Sequence, residues 1–288
     1  MRLNTCSKTI RQPPVCQVQD DSPGAPLSFG SYKLPACHGF SPLGGIEPFT
    51  LSFDIRNIRR RGNIVTQHVL FIVTNAAIIG PHNRKTGFFF AEVAHPFEVL
   101  DKAGIAVEFA SIAGGWTPYD AYDEKDQAQK NFLESKAFRR LSRSRKLSEV
   151  DAVDYDSILI PGGLGPMVDI ARNAEVQRAI VRSWSTGKFV TAVCHGPCSL
   201  LGVDLGDGAP FVRGKKLTAF SKKEEYDYAR EDVPYELEDA LRAEGAEYSS
   251  TANWDPKVVV DGRLMTGQNP ASAGPMAKEL LAALKKLT

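Results

Sequence analysis

Apolar residues along the chain fall into two recurring kinds of segment. One is a short, mostly apolar run: "HVLFIVTNAAII" from His68, "IAVEFASI" from Ile105, "DSILIPGG" from Asp156 and "KFVTAVC" from Lys188. Runs of this kind predict strands buried on both faces. The other kind repeats at helical spacing. It predicts a helix from about Gly87 to Ala103, closed by Gly104 as a C-terminal cap, a charged helical region over Gln127 to Arg145, and a helix within "MVDIARNAEVQRAIVRSWSTG" from Met167. Further on, "KLTAF" (Lys216 to Phe220) and "KVVVDGRLMTG" (Lys257 to Gly267) predict strands, the second folded back at Asp261-Gly262. A last helix opens after "GQNPASA", with Asn269 as its cap and Pro270 in its first turn.

Strands and helices therefore alternate, and right-handed crossovers lay each helix back on the sheet. The expected fold class is α/β, a doubly wound and mostly parallel sheet with helices on both faces. Sites in such sheets gather at the carboxyl ends of the strands. This pattern occupies residues 67–288. Residues 1–66 are rich in Pro, Gly and Ser, lack a sustained period and include the basic cluster "RNIRRRG" from Arg56, which predicts a disordered or loosely packed extension. Arg2, Lys8 and Arg11 precede any acid, as in a mitochondrial presequence, but Asp20, Asp21 and the prolines spoil the amphipathic helix such a segment needs.

Charge narrows the partners. The 288 residues carry 35 Lys and Arg against 34 Asp and Glu, so no broad field exists to grip nucleic acid or an anionic membrane. Arg139, Arg140, Arg143, Arg145 and Lys146 read, against that neutral total, as a solvated helix face. Five cysteines cannot all pair, and no C-x-x-C spacing suggests a metal. The expectation is a reducing compartment, the cytoplasm first and the nucleus as the alternative, with no metal and no cofactor.

The chemistry concentrates at "VTAVCHGPCSLL", Val190 to Leu201. A buried strand that swings into a helix within one residue needs small neighbours, supplied here by Ala192 and Gly196 around Cys194. This is the arrangement of a G-x-S-x-G nucleophile elbow with sulfur in place of oxygen. A thiol at a helix N-terminus can have its pKa brought from ~8.5 into the range ~3.5 to 7.5, so a thiolate at neutral pH is expected. His195 needs a partner, and Glu224 or Glu225, just past the "KLTAF" strand, can supply a carboxylate in a Cys-His-acid arrangement. Glu92 lies among Phe88, Phe89, Phe90, Val93 and Phe97, a setting that raises a carboxyl pKa toward neutrality and suits it to move protons. "PGGLGPM" lacks the spacing of a phosphate loop; the Gly163 amide, next to Gly162, can instead join the His195 amide in holding an oxyanion. Cys198 and His95 read as structural.

Together "AEVAHP", "KLSEVDAVDYDSILIPGG", "AVCHGP", "TAFSKKEE" and "VVVDGRLMTGQNPASA" resemble the DJ-1/PfpI superfamily, specifically its glutathione-independent glyoxalase III and stress-chaperone branch, over about Val69 to Leu287. The resemblance implies a flavodoxin-like, class I glutamine amidotransferase-like domain. It implies Cys194 as nucleophile, Glu92 as a helix glutamate bonded to it, and His195 with Glu225 as the better-aligned acid. It further implies conversion of methylglyoxal or a similar 2-oxoaldehyde to D-lactate without cofactor, in a homodimer. The rival readings are a holding chaperone for unfolded clients, in which Cys194 only senses oxidation, and a cysteine amidase or peptidase. Many relatives read G-G-H-G where this chain has Leu164, which is expected to remove a polar group from the pocket rim and to weaken or shift activity.

Overall fold

The computed structural model describes residues 66–287. The N-terminal extension expected over residues 1–66, and with it Cys6, Cys16 and Cys37, lies outside the described residues except for Thr66. The central sheet has seven strands: β1 (His68–Val73), β2 (Ala106–Ser111), β3 (Arg145–Lys146), β4 (Ser157–Ile160), β5 (Phe189–Val193), β6 (Val258–Asp261) and β7 (Leu264–Gly267). Their spatial order is β6-β7-β5-β4-β1-β2-β3, and every pair is parallel except the β6-β7 hairpin. The strand residues of β4 and β5 are buried throughout, and those of β1 after His68 as well, because helices cover both faces.

One face carries α1 (Phe90–Lys102), α2 (Gln127–Glu134), α3 (Lys136–Leu141) and α8 (Ala273–Leu284), whose Val93, Leu100, Phe132, Leu141, Met276 and Leu280 pack with Phe71, Phe109 and Val193 of the sheet. The other face carries α4 (Pro166–Asp169), α5 (Ala174–Ser185) and α7 (Leu237–Ala243), with Met167, Val176, Ile180 and Leu241 against Leu70, Ile158 and Val190. Alternation of side chains across each strand separates these two cores. A short helix α6 (Lys222–Tyr228) stands near the carboxyl ends of β5 and β7.

Local deviations from the periodicity have identifiable causes. α1 begins at Phe90 because Phe88 and Phe89 are extended and pair with Tyr119 and Asp120. It ends as expected at Gly104, whose φ of +76° lets the Ile105 amide donate to Leu100 O at 3.0 Å. The charged region is broken into α2 and α3 at extended Ser135, whose hydroxyl accepts from the Phe138 amide and caps α3. The helix expected from Met167 is also two: Arg172 adopts φ +56°, and the Asn173 side chain caps α5. "KLTAF" is not a strand of the main sheet. Only Lys216–Leu217 are strand, paired with Glu247–Tyr248, while the Thr218 amide donates to the Thr266 side chain on β7. The β6-β7 hairpin turns through Gly262 and Arg263, one residue later than expected, with Asp261 opposite Leu264.

Candidate active site

β5 ends at Val193, and Cys194 takes the left-handed conformation with φ +62°. For a residue with a Cβ this costs of order 1–3 kcal/mol, which the surrounding bonds must hold in place. Its amide donates to Gly267 O on β7 at 2.9 Å, and its carbonyl accepts from the Phe220 amide at 2.8 Å. Two glycines make room for the turn. A Cβ on Gly196 would lie 2.2 Å from Ile160 O, and one on Gly162 would lie 2.6 Å from the His195 nitrogen. Beyond the turn the chain forms a five-residue 3-10 helix, Gly196–Leu200, rather than an α-helix.

Glu92, in the first turn of α1, is fully buried. Its Oε2 accepts from the Gly162 amide at 2.6 Å, while Oε1 has no nitrogen or oxygen partner and the Cys194 thiol interacts with the carboxyl. Burial dominates over both contacts and pushes the carboxyl up to about 8. Burial, and next the neighbouring Glu92, likewise push the Cys194 thiol well above its ordinary range, although the Gly163 and His195 amides point at the sulfur and oppose this. The thiolate expected at neutral pH is therefore not the resting form. A short 3-10 turn inside a closed site cannot offset the loss of solvent around an anion.

The His195 ring is fully buried, with Nδ1 at 3.4 Å from Cys194 Sγ and Nε2 at 2.6 Å from Glu225 Oε2. The ring thus bridges the two side chains, with Nε2 set to donate to the Glu225 carboxyl and Nδ1 facing the thiol. The Phe220 ring covers the imidazole at a centroid distance of 4.5 Å. Of the two glutamates left open by the sequence, Glu225 on α6 is the one beside His195. Glu224 instead closes a capping box with Ser221, its Oε2 also taking Gln268 Nε2 at 3.0 Å, while Oε1 takes Asn269 Nδ2 at 2.9 Å and the Trp254 amide at 2.8 Å. The Ser-x-x-Glu spacing in "FSKKEE" is the signal that separates them.

Leu164 does not sit at a pocket rim. It is 1% exposed and packs in the core with Ile79 and Met167, on the face opposite the one Cys194 joins. The tight Gly162–Gly165 turn carries its side chain inward, so the expected effect on substrate preference loses its basis. Cys198 is in that same core with its thiol on Pro166 O, and His95 bonds Asp126 at the start of α2, both structural as expected. Among the described residues no three His, Cys, Asp or Glu converge as metal ligands. An aromatic wall beside the imidazole was not legible in the sequence: Phe220, Tyr228 and Trp254 touch edge to face at 5.5 to 5.9 Å. Phe220 precedes α6, Tyr228 ends it and Trp254 lies in a turn, so no shared period announces the three together.

The profile of the DJ-1/PfpI family matches residues 86–283. The chain belongs to that family. This DJ-1/PfpI chain is 32% identical over 215 residues to "Glyoxalase 3" of Candida albicans, covering 70% of this chain and 91% of that protein. It is 32% identical over 214 residues to "Glutathione-independent glyoxalase HSP31" of Saccharomyces cerevisiae, covering 70% and 90%. Among solved structures, the Rapid Encystment Protein 24 kDa of Francisella tularensis is 32% identical with a TM-score of 0.73, covering 76% of this chain and 99% of that one. Glyoxalase III from Candida albicans is 28% identical with a TM-score of 0.68, covering 75% and 97%. The doubly wound, mostly parallel sheet is the fold these structures share with this DJ-1/PfpI domain.

Proposed function

We propose that the protein is a glutathione-independent glyoxalase that converts methylglyoxal, or a similar small 2-oxoaldehyde, to the 2-hydroxy acid. The observation that carries this reading is the buried Glu92 carboxyl against the Cys194 thiol, with Gly162 holding one carboxyl oxygen. Acyl transfer by an amidase or peptidase needs a thiol, a base and an oxyanion site, but no second acid at the sulfur. Isomerisation of a 2-oxoaldehyde needs one, because a proton must leave C1 and reach C2. The Candida and Saccharomyces relatives, both named glyoxalases, support the same assignment.

In this reading His195 Nδ1 takes the thiol proton as sulfur bonds to the aldehyde carbon C1, and the protonated Glu92 gives its proton to the aldehyde oxygen. Glu225 steadies the imidazolium so formed. The Glu92 carboxylate then removes the C1 proton while the His195 imidazolium protonates the C2 oxygen, giving an enediol. Glu92 delivers its proton to C2 as the C1 hydroxyl gives its proton back to His195, which leaves the thioester. The resulting thioester is cleaved by water, which restores the thiol and releases the acid. The Gly163 and His195 amides, directed at the sulfur, stand where charge develops on the adjoining oxygen. Cys194 keeps 2% exposure and Glu92 and His195 none, so the arrangement suits a reactant of few atoms that meets the cysteine first.

The test is lactate formation from methylglyoxal with glutathione omitted, for wild type, Cys194→Ala and Glu92→Gln. Turnover by wild type and its loss in both variants are expected. Absence of lactate from folded wild type, with suppression of client aggregation that survives both substitutions, would replace this reading with that of a holding chaperone.

A further inference from the structure

Strand β2 is bonded to β1 along its whole length, from Ala106 opposite His68 to Ser111 opposite Val73. On its outer side β3 reaches only Ala110 and Ser111. Ala106 to Phe109 thus have a strand partner on one side alone, and they line a cleft of about 720 Å³. Arg139, Arg140, Arg143 and Arg145 line the same cleft, all exposed. Among the described residues Arg139, Arg140 and Arg143 form no ion pair, whereas Arg145 meets Glu108 at 3.6 Å. The acids in the cleft are Asp101 and Glu108, and Glu108 is already engaged by Arg145 and by the Tyr155 hydroxyl at 2.8 Å. Four guanidinium groups therefore face two carboxylates, beside unpaired strand backbone.

We propose that this cleft docks an extended acidic peptide, which adds as a further strand beside Ala106–Phe109 and sets its carboxylates against Arg139, Arg140 and Arg143. Open strand edges are usually shortened, covered or guarded, since they template pairing with another chain. Here the edge runs on from Ala106 to Phe109, about 13 Å of strand, before β3 closes it. Backbone pairing supplies affinity in such strand addition, and alternate side chains supply specificity. α3 packs Ala137 and Leu141 on the face that carries Val107 and Phe109, and Arg139 and Arg140 of that helix, with Arg143 just beyond it, line the cleft on that side. Only every second peptide side chain can reach them, so acids at alternate positions are recognised. The solvated helix face expected from sequence is, in the fold, one wall of this cleft. A nucleic acid offers phosphates to the arginines but cannot continue the strand ladder.

The experiment is fluorescence anisotropy of a labelled peptide of alternating Glu and Val, long enough to span the open edge, titrated with the full chain. Saturable binding is expected, weakened at least tenfold in Arg139→Glu/Arg143→Glu, a variant whose circular dichroism and melting temperature report that it remains folded. N-methylation of one alternate set of peptide amides should abolish binding, and methylation of the other set should leave it nearly unchanged. Equal binding of the two N-methylated peptides would overturn the strand addition. So would displacement of the peptide by an oligothymidylate at lower concentration than by unlabelled peptide, or no binding by wild type when protein is in large excess over the probe. None of these outcomes depends on the glyoxalase reading.

Discussion

Replacing Glu92 by glutamine separates what this carboxyl does for stability from what it does for chemistry. In the unfolded chain the group titrates near 4.5, and in the fold it is pushed up to about 8 by burial. Between those values the folded protein holds a proton that the unfolded chain has released. Stability from this group is therefore fully present below the lower value and is lost as pH rises, until the loss levels off above about 8. At about 1.4 kcal/mol per pH unit the full loss is of order 5 kcal/mol, with about 3 kcal/mol already gone at about pH 7. Glutamine keeps the shape, can still accept from the Gly162 amide, and does not titrate. The stability of Glu92→Gln relative to wild type should thus rise by about 3 kcal/mol between about pH 4.5 and pH 7 and by about 5 in all by about pH 9. Urea unfolding of both proteins at intervals across that range measures this. Near neutral pH the corresponding gain in melting temperature is roughly 6–12 °C for a domain of this size. The slope of the difference is decisive, because any fixed cost of the amide shifts it equally at every pH. A difference constant within about 1 kcal/mol over that range would refute the burial argument and, with it, the acid role of Glu92.

Three further outcomes follow from the same geometry. Because the proposed route starts from protonated Glu92, kcat/KM for methylglyoxal should fall as pH rises through about 8, roughly tenfold per unit beyond it, measured as initial lactate formation; a rate that keeps climbing well above that pH contradicts this. Glu225→Ala leaves the buried His195 without its acceptor and should cost about 3 kcal/mol in urea unfolding, while Glu225→Gln, which still accepts, should cost clearly less but slow turnover. Gly162→Ala places a methyl 2.6 Å from the His195 nitrogen, so both soluble yield and turnover should drop sharply, and wild-type behaviour of that variant would show that the turn can yield.

Much of this protein is written in local pattern. Mostly apolar runs located β1, β2, β4 and β5; β1, β4 and β5 are covered on both faces and have almost no polar side to interrupt them, while Glu108 marks a partly open position of β2. Alternation with helices then implied the parallel sheet, and the small residues flanking Cys194 implied a sharp turn. Breaks in helices were not legible in the same way: Arg172 and Ser135 are ordinary residues whose unusual or extended backbone is set by what they cap and pack against. The choice between Glu224 and Glu225 was half legible, since the capping spacing was present, but the contacts of Glu224 with Gln268 and Asn269 span 44 and 45 positions. Electrostatics lay furthest from the sequence. Whether Cys194 rests as thiolate or thiol, and whether Leu164 faces a pocket or a core, depends on how much solvent the assembled fold removes around each, and that quantity has no value until distant segments have met.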